Sequence, residues 1–403
     1  MIKKELGKMT LVMLPMVLTP AFNMLFLIVV ARKVDVVGYG SLAYAITLIA
    51  ILVGFSDLGL RDFFLSKGGL EKRYTGTNVL LFFSNFVFLL ILLLQYVFWI
   101  GVENNQLLVI FSSLIAEGYA LGVLHKVISY RYQANNRLPN FSKLDAMLKI
   151  LPISVKLATL IFLGDLVLSL ILGAVTGLLI YTIWFLRIEN FKDLIMDVGD
   201  VFNNIKILCT DWREWGVFTI SFISFFLYFG ADKLIIQSVL GVEQLAIYSA
   251  AMAFMTIGQI AVGVLWSLYM PRLSRGEDLW SYKMFILLLT GLGFVTWAGY
   301  QVLSYWIYGY IYPEAYAFGR YVLSLASVYF LFRFPNVVLE IFYIVDGHYS
   351  KFVKMRVFFG IFAVILCYIL LPLMGIIGAA LALVIAEMLL MIGSLLGRRK
   401  LSC

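Results

Sequence analysis

Charge, histidine and cysteine are scarce in this chain. Of its 403 residues, 13% are Asp, Glu, Lys or Arg and 63% are apolar. Soluble domains carry nearer a quarter charged and half apolar residues, so a soluble core cannot absorb this much apolar surface. With only His125 and His348, a histidine-built metal centre is not expected. Cys209, Cys367 and Cys403 are odd in number and far apart, which gives neither a disulfide pair nor a zinc site. No P-loop sequence occurs, so nucleotide hydrolysis is not expected and no cofactor is implied. Short alternating strands are absent too, which argues against a membrane β-barrel.

What is present is a series of apolar runs about 20 residues long, enough to cross hydrocarbon as helices. About twelve are read, from 9–31 to 373–396, among them 143–163, 165–187, 214–240, 319–344 and 352–371. The chain is therefore read as an all-α polytopic membrane protein. Lys3, Lys4 and Lys8 precede a run with no small-residue cleavage site, read as a retained first helix. Most of the 31 lysines and arginines fall at alternate ends of the spans, including Lys351, Lys354 and Arg356. By the positive-inside rule both termini are cytoplasmic, in the plasma membrane. That placement accounts for the net charge of +8 without a nucleic-acid partner.

The longest loop, 188–213, spaces Ile188, Phe191, Ile195, Val198, Phe202 and Ile205 at three and four residues. This predicts an amphipathic helix on the cytoplasmic face, linking the halves 1–187 and 214–403. The halves are weakly alike: "VDVVGYGSLAYA" at 34–45 aligns with "LGVEQLAIYSAA" at 240–251. Each holds about six spans, the pattern of parallel repeats related by an axis along the membrane normal.

"VARKVDVVGYGSLAYA" (30–45), "FSDLGLRDFF" (55–64), "ADKLIIQSVLGVEQLAIYSAA" (231–251), "YMPRLSR" (269–275) and "GIIGAALALVIAE" (375–387) together resemble one family. It is the lipid-linked oligosaccharide flippases, within the multidrug/oligosaccharidyl-lipid/polysaccharide exporter superfamily. Asp35 departs from the pattern, where a Gly is common. The resemblance implies two six-helix bundles alternating between inward- and outward-open states. It also implies a polyprenyl-linked sugar substrate whose lipid tail stays among the membrane lipids.

Charge within a span costs about 2.5–3.5 kcal/mol on insertion scales, so each such residue needs a reason. Asp145, Lys149 and Lys156 fall on one face of a helix at i, i+4 and i+11, with Pro152 between the lysines. They are read either as a cationic stripe meeting a phosphate, or as an Asp145–Lys149 pair with Lys156 snorkelling. Arg333, Asn336 and Glu340 share a face at i, i+3 and i+7; Arg333 either holds phosphate or pairs with Glu340. Glu117 and Glu387 are each the lone acid of a span. They serve either ion coupling, with a proton or sodium, or a neutral hydrogen bond. Asp232 lies on a stripe with Ser221, Ser224 and Tyr228 and is assigned to the interior or cavity. Lys233 is turned about 100° away and either snorkels or partners another helix. Outer Arg32 and Lys33 either greet phosphate or cap the first helix.

Three functions compete. A flippase suits the cationic faces and the resemblance. A drug or metabolite exporter of the same fold would favour an acidic, apolar cavity, against which Lys149, Lys156 and Arg333 speak. A membrane glycosyltransferase or polymerase needs a sizeable external loop, and the external loops here are short.

Overall fold

The computed structural model describes residues 2–55, 59–60, 83, 85–95, 105–119, 125, 138–187, 205–206, 209–274 and 282–399. Among these, every regular element is helical. The elements are α1 (Ile2–Lys33), α2 (Val36–Phe55), α3 (Asn105–Gly118), α4 (Leu138–Leu163) and α5 (Leu166–Arg187). Next come α6 (Trp212–Phe229), α7 (Ala231–Leu240), α8 (Val242–Ser274) and α9 (Tyr282–Trp306). The last four are α10 (Gly319–Ala326), α11 (Tyr329–Val345), α12 (Tyr349–Met374) and α13 (Ile376–Arg399). Residues 85–95 form a further short apolar helix. Eight helical stretches among the described residues are long and apolar enough to cross a membrane. Of the interval 188–213, only 205–206 and 209–213 are described, so most of the expected surface helix lies outside the described residues.

Helix boundaries follow local chemistry. Gly164 (φ +71°) ends α4 and Gly375 (φ +60°) ends α12, conformations in which a Cβ would be strained. Asp165 caps α5 by accepting the Leu168 N–H at 3.0 Å. Asp35 caps α2 in the same way, accepting the Gly38 N–H at 3.2 Å. Arg32 and Lys33 occupy the last turn of α1, where a cation favours the helix dipole.

Two expected spans are not single helices. The run 214–240 divides at Gly230 (φ −137°, ψ −34°) into α6 and α7. The run 319–344 divides at Ser327–Val328 into α10 and α11, through a turn held by Val328 N–H to Leu325 O and Leu331 N–H to Val328 O. Hydrophobicity does not register either division, because glycine and serine interrupt neither run's apolar character.

The chain forms two compact units, one of residues 1–33 and 45–223, the other of 34–44 and 224–403. In the first, α4 packs along α1 and α5, and α3 packs on α5. In the second, α11 is central, packed against α8, α9, α12 and α13. Its Phe334, Val337, Val338 and Leu339 are fully buried. By contrast α12 turns Phe358, Ile361, Ile365, Tyr368, Ile369 and Leu373 outward, an apolar stripe that suits lipid and not water.

Small residues allow the close packing of the second unit. Tyr300 of α9 inserts its hydroxyl into the backbone ladder of α8, accepting from Gly258 N–H (3.1 Å) and donating to Phe254 O (2.7 Å). The Phe330 ring stacks on Tyr300, 5.6 Å between centroids and 7° from parallel. A Cβ at position 258 would sit 2.1 Å from Phe330 Cζ. The ring is held by Tyr300 and has little freedom to yield. Gly258→Ala is therefore expected to cost about 1–3 kcal/mol by overpacking, read as a lower thermal midpoint in detergent. An unchanged midpoint would show that the ring has room.

Candidate functional site

The first unit brings together Lys156 of α4 and Glu117 of α3, 39 positions apart in sequence. Lys156 Nζ donates to Glu117 Oε1 at 2.6 Å, with both side chains buried (5% and 11% exposed). The lysine stem lies over Gly173 of α5, where a Cβ would come within 2.2 Å of Lys156 Cγ. Ser169 Oγ donates to the Lys156 carbonyl at 2.7 Å, tying α5 to α4 at this level. The ammonium also lies 5.2 Å from the Phe26 ring centroid, close enough for a cation–π contact. The pair borders a cavity of about 460 Å³ whose wall is otherwise apolar, with Phe26, Ile49, Val53 and Leu114, and Asn23 as a further polar group. Lys156 is thus on a cavity wall, but it is ion-paired and does not snorkel.

Nearer the start of α4, Asp145 accepts from Lys149 Nζ at 2.9 Å and pairs with His125 Nε2 at 2.6 Å. Lys149 is the Asp145 partner that the i, i+4 spacing predicts, while His125 carried no sequence signal. Arg32 is exposed near the end of α1.

In the second unit, four charges from three helices form one buried group. Arg333 Nη1 lies 3.7 Å from Glu340 and 3.6 Å from Glu387. Arg356 donates to Glu340 Oε1 at 3.0 Å, and Asn336 Nδ2 donates to Glu387 Oε1 at 2.8 Å. Two guanidiniums and two carboxylates balance, which is how buried charge is tolerated. Arg356, which the sequence groups with the cytoplasmic cations, has a side chain 11% exposed and paired with Glu340 inside the bundle. The signal available was its position one turn and more inside α12, beyond Lys351 and Lys354.

Asp232 is in the first turn of α7, directly after the break at Gly230. It is buried inside the second unit, as its stripe predicts. Tyr248 donates to it at 2.5 Å and the Lys233 N–H at 2.8 Å. The helix N-terminus favours its negative charge. A space of about 10 Å³ lies beside it, near Ala363, Cys367 and Leu383. Lys233 is half-buried. Among the described residues, no group of three or more His, Cys, Asp or Glu is placed to hold a metal ion.

No protein-family model matches the chain, and no curated protein matches it. Solved structures do. The lipid II flippase MurJ in its inward closed conformation matches at TM-score 0.72 and 14% identity, over 97% of this chain and 87% of that one. An inward-facing multidrug resistance MATE family transporter of the MOP superfamily matches at TM-score 0.57 and 14% identity, over 95% and 94%. A MOP superfamily transporter from Pyrococcus furiosus, described by the reversed polarity of its binding pocket, matches at TM-score 0.57 and 14% identity, over 98% and 95%. This chain accordingly has the all-α, multi-pass membrane fold that the lipid II flippase MurJ shares with the MATE transporters of the MOP superfamily.

Proposed function

We propose that this protein is a flippase that carries a polyprenyl-phosphate- or pyrophosphate-linked oligosaccharide, or a related lipid-linked sugar, across the cytoplasmic membrane by alternating access. The observation that carries the reading is Lys156, a buried cation paired with Glu117 on the wall of an otherwise apolar cavity of about 460 Å³. Such a place suits a ligand with an anionic head and an apolar tail, because a cation in low dielectric attracts an anion far more strongly than one in water. Lys156 is the leading phosphate group in this reading, with Lys149, Arg333 and Arg32 as further candidates. Glu117, Asp232, Glu340 and Glu387 are the candidate polar or ion-coupling groups, for a proton or sodium. The fold's likeness to the lipid II flippase supports the same class.

The test is reconstitution into liposomes with a fluorescent short-chain polyprenyl-pyrophosphate sugar, following the rate at which inner-leaflet probe becomes accessible to a membrane-impermeant quencher added outside. Protein-dependent exchange at least tenfold above empty liposomes is expected. Exchange at the empty-liposome rate would sink the reading. The second reading, export of cationic drugs or metabolites, is favoured by the Glu117 carboxylate at the same cavity and by the MATE likeness. Accumulation of a cationic dye in the same liposomes, without lipid exchange, would select it.

Both termini are placed in the cytoplasm in this reading. Cysteines introduced near Asn104 and Gly241 are then expected to react with an impermeant thiol reagent in intact cells, and those near Asn136 and Arg275 are not. The reverse pattern overturns the orientation.

A further inference from the structure

We propose that Lys156 and Glu117 form an exchange site at which an anionic amphiphile and a proton bind together. The anion replaces the Glu117 carboxylate at the Lys156 ammonium, and Glu117, left without a counter-charge, takes up a proton. The ligand class rests on the flippase reading above; the exchange itself is argued from the pair's geometry.

Three features carry it. First, Lys156 is the fixed member. Its stem is lodged over Gly173, its ammonium faces the Phe26 ring, and α5 is tied to its carbonyl by Ser169. Glu117 is the more exposed member, 11% against 5%. An incoming cation aimed at Glu117 would meet an ammonium that cannot withdraw, whereas an incoming anion needs only the carboxylate to turn aside. Second, the site is charge-balanced, and a third charge would upset it. An anion added beside the intact pair leaves one uncompensated negative charge in an apolar wall, which is costly. One proton on Glu117 restores neutrality. The ammonium has no lone pair to accept a further proton, so within the pair the Glu117 carboxylate is the one acceptor. Third, among the described residues that line the cavity, Glu117 is the one carboxylate. The wall facing the pair offers Asn23 and Phe26 from α1, Ile49 and Val53 from α2, and Leu170 from α5. Tyr119, next along the chain, donates its hydroxyl to Asn85 at 2.8 Å.

The exchange balances: an ammonium–carboxylate pair, an anion and a proton become an ammonium–anion pair and a carboxylic acid. No covalent bond is made or broken. By linkage, the proton strengthens anion binding and the anion strengthens proton binding to the same degree. The site therefore carries proton and anion in the same direction, which distinguishes it from one where a proton expels the substrate.

The experiment uses the full chain purified in a neutral detergent. The probe is decyl methyl phosphate, a diester whose single negative charge does not change between pH 5 and pH 9. Binding is followed by thermophoresis, and proton uptake by a pH indicator in weak buffer. The wild type is expected to take up about one proton per probe bound, with affinity falling as the pH is raised. Glu117→Gln is expected to bind with no proton uptake and with affinity independent of pH. Lys156→Gln is expected to bind at least tenfold more weakly. If Glu117→Gln does not fold, the double Lys156→Gln, Glu117→Gln variant, in which no charge is left unpaired, serves as the reference and takes up no proton. Binding by the wild type without proton uptake overturns the exchange, as does tighter binding of decyltrimethylammonium than of the diester. The failures are separable. Loss of lipid exchange in liposomes with intact proton-linked binding removes the flippase reading. Intact lipid exchange without proton uptake removes only this inference.

Discussion

Lys156→Ala is expected to lower translocation of a polyprenyl-pyrophosphate probe at least tenfold and to lower the thermal midpoint by several degrees. The two effects have different causes and can be separated. Removing the ammonium leaves the Glu117 carboxylate buried and uncompensated, and breaking a buried pair in this way costs about 3–5 kcal/mol. That loss belongs to stability and would reduce transport simply by reducing folded protein. Lys156→Met combined with Glu117→Leu removes both charges together at similar volume, and replacing a buried pair by apolar residues of similar size is often neutral. The double variant is therefore expected to regain most of the midpoint and none of the transport. Lys156→Arg keeps the charge, but the planar guanidinium must fit where the lysine stem crosses Gly173, so partial activity is expected. The measurement is liposome exchange normalised to folded protein by size exclusion, with midpoints in the same detergent. Near-normal exchange by the double variant would place the phosphate elsewhere.

Much of the fold is legible in the sequence, because crossing a membrane requires long apolar helices and leaves few alternatives. The divisions at Gly164 and Gly375 are equally legible, since "LGD" and "LPLMG" end their helices where the sequence says. The breaks at Gly230 and Ser327 are not, because neither residue changes the hydropathy of the run it interrupts. The site is half legible. Shared helix faces correctly relate Asp145 to Lys149 and Arg333 to Glu340, contacts made within a helix at fixed spacing. Pairs between helices are a different matter. Lys156 with Glu117, Arg356 with Glu340 and Tyr248 with Asp232 each depend on the depth and rotation of two helices, and periodicity specifies neither partner. Arg356 is a case in point: positive-inside counting treats every cation near a helix end alike, and gives no sign that this one is paired inside the bundle.

The second large effect concerns that buried group. Glu340 is approached by both guanidiniums, Arg356 at 3.0 Å and Arg333 at 3.7 Å, and is 5% exposed. Glu340→Gln keeps the shape and removes the charge, which leaves two guanidiniums against the single carboxylate of Glu387. The expected cost is about 3–5 kcal/mol, the penalty for an uncompensated buried charge. Asn336→Ala removes only the neutral donor to Glu387 at 2.8 Å, and about 1–3 kcal/mol is expected. Arg356→Gln should cost about as much as Glu340→Gln, because it unbalances the group in the opposite sense. The two changes together restore neutrality, so the double variant is expected to be more stable than the sum of the singles by about 1–3 kcal/mol. The group joins α11, α12 and α13, so its loss should release those helices together, in one cooperative transition of denaturant unfolding in detergent. Strict additivity of the two single changes would mean that Glu340 and Arg356 are each solvated in the folded protein, and that the buried four-charge arrangement does not hold these helices.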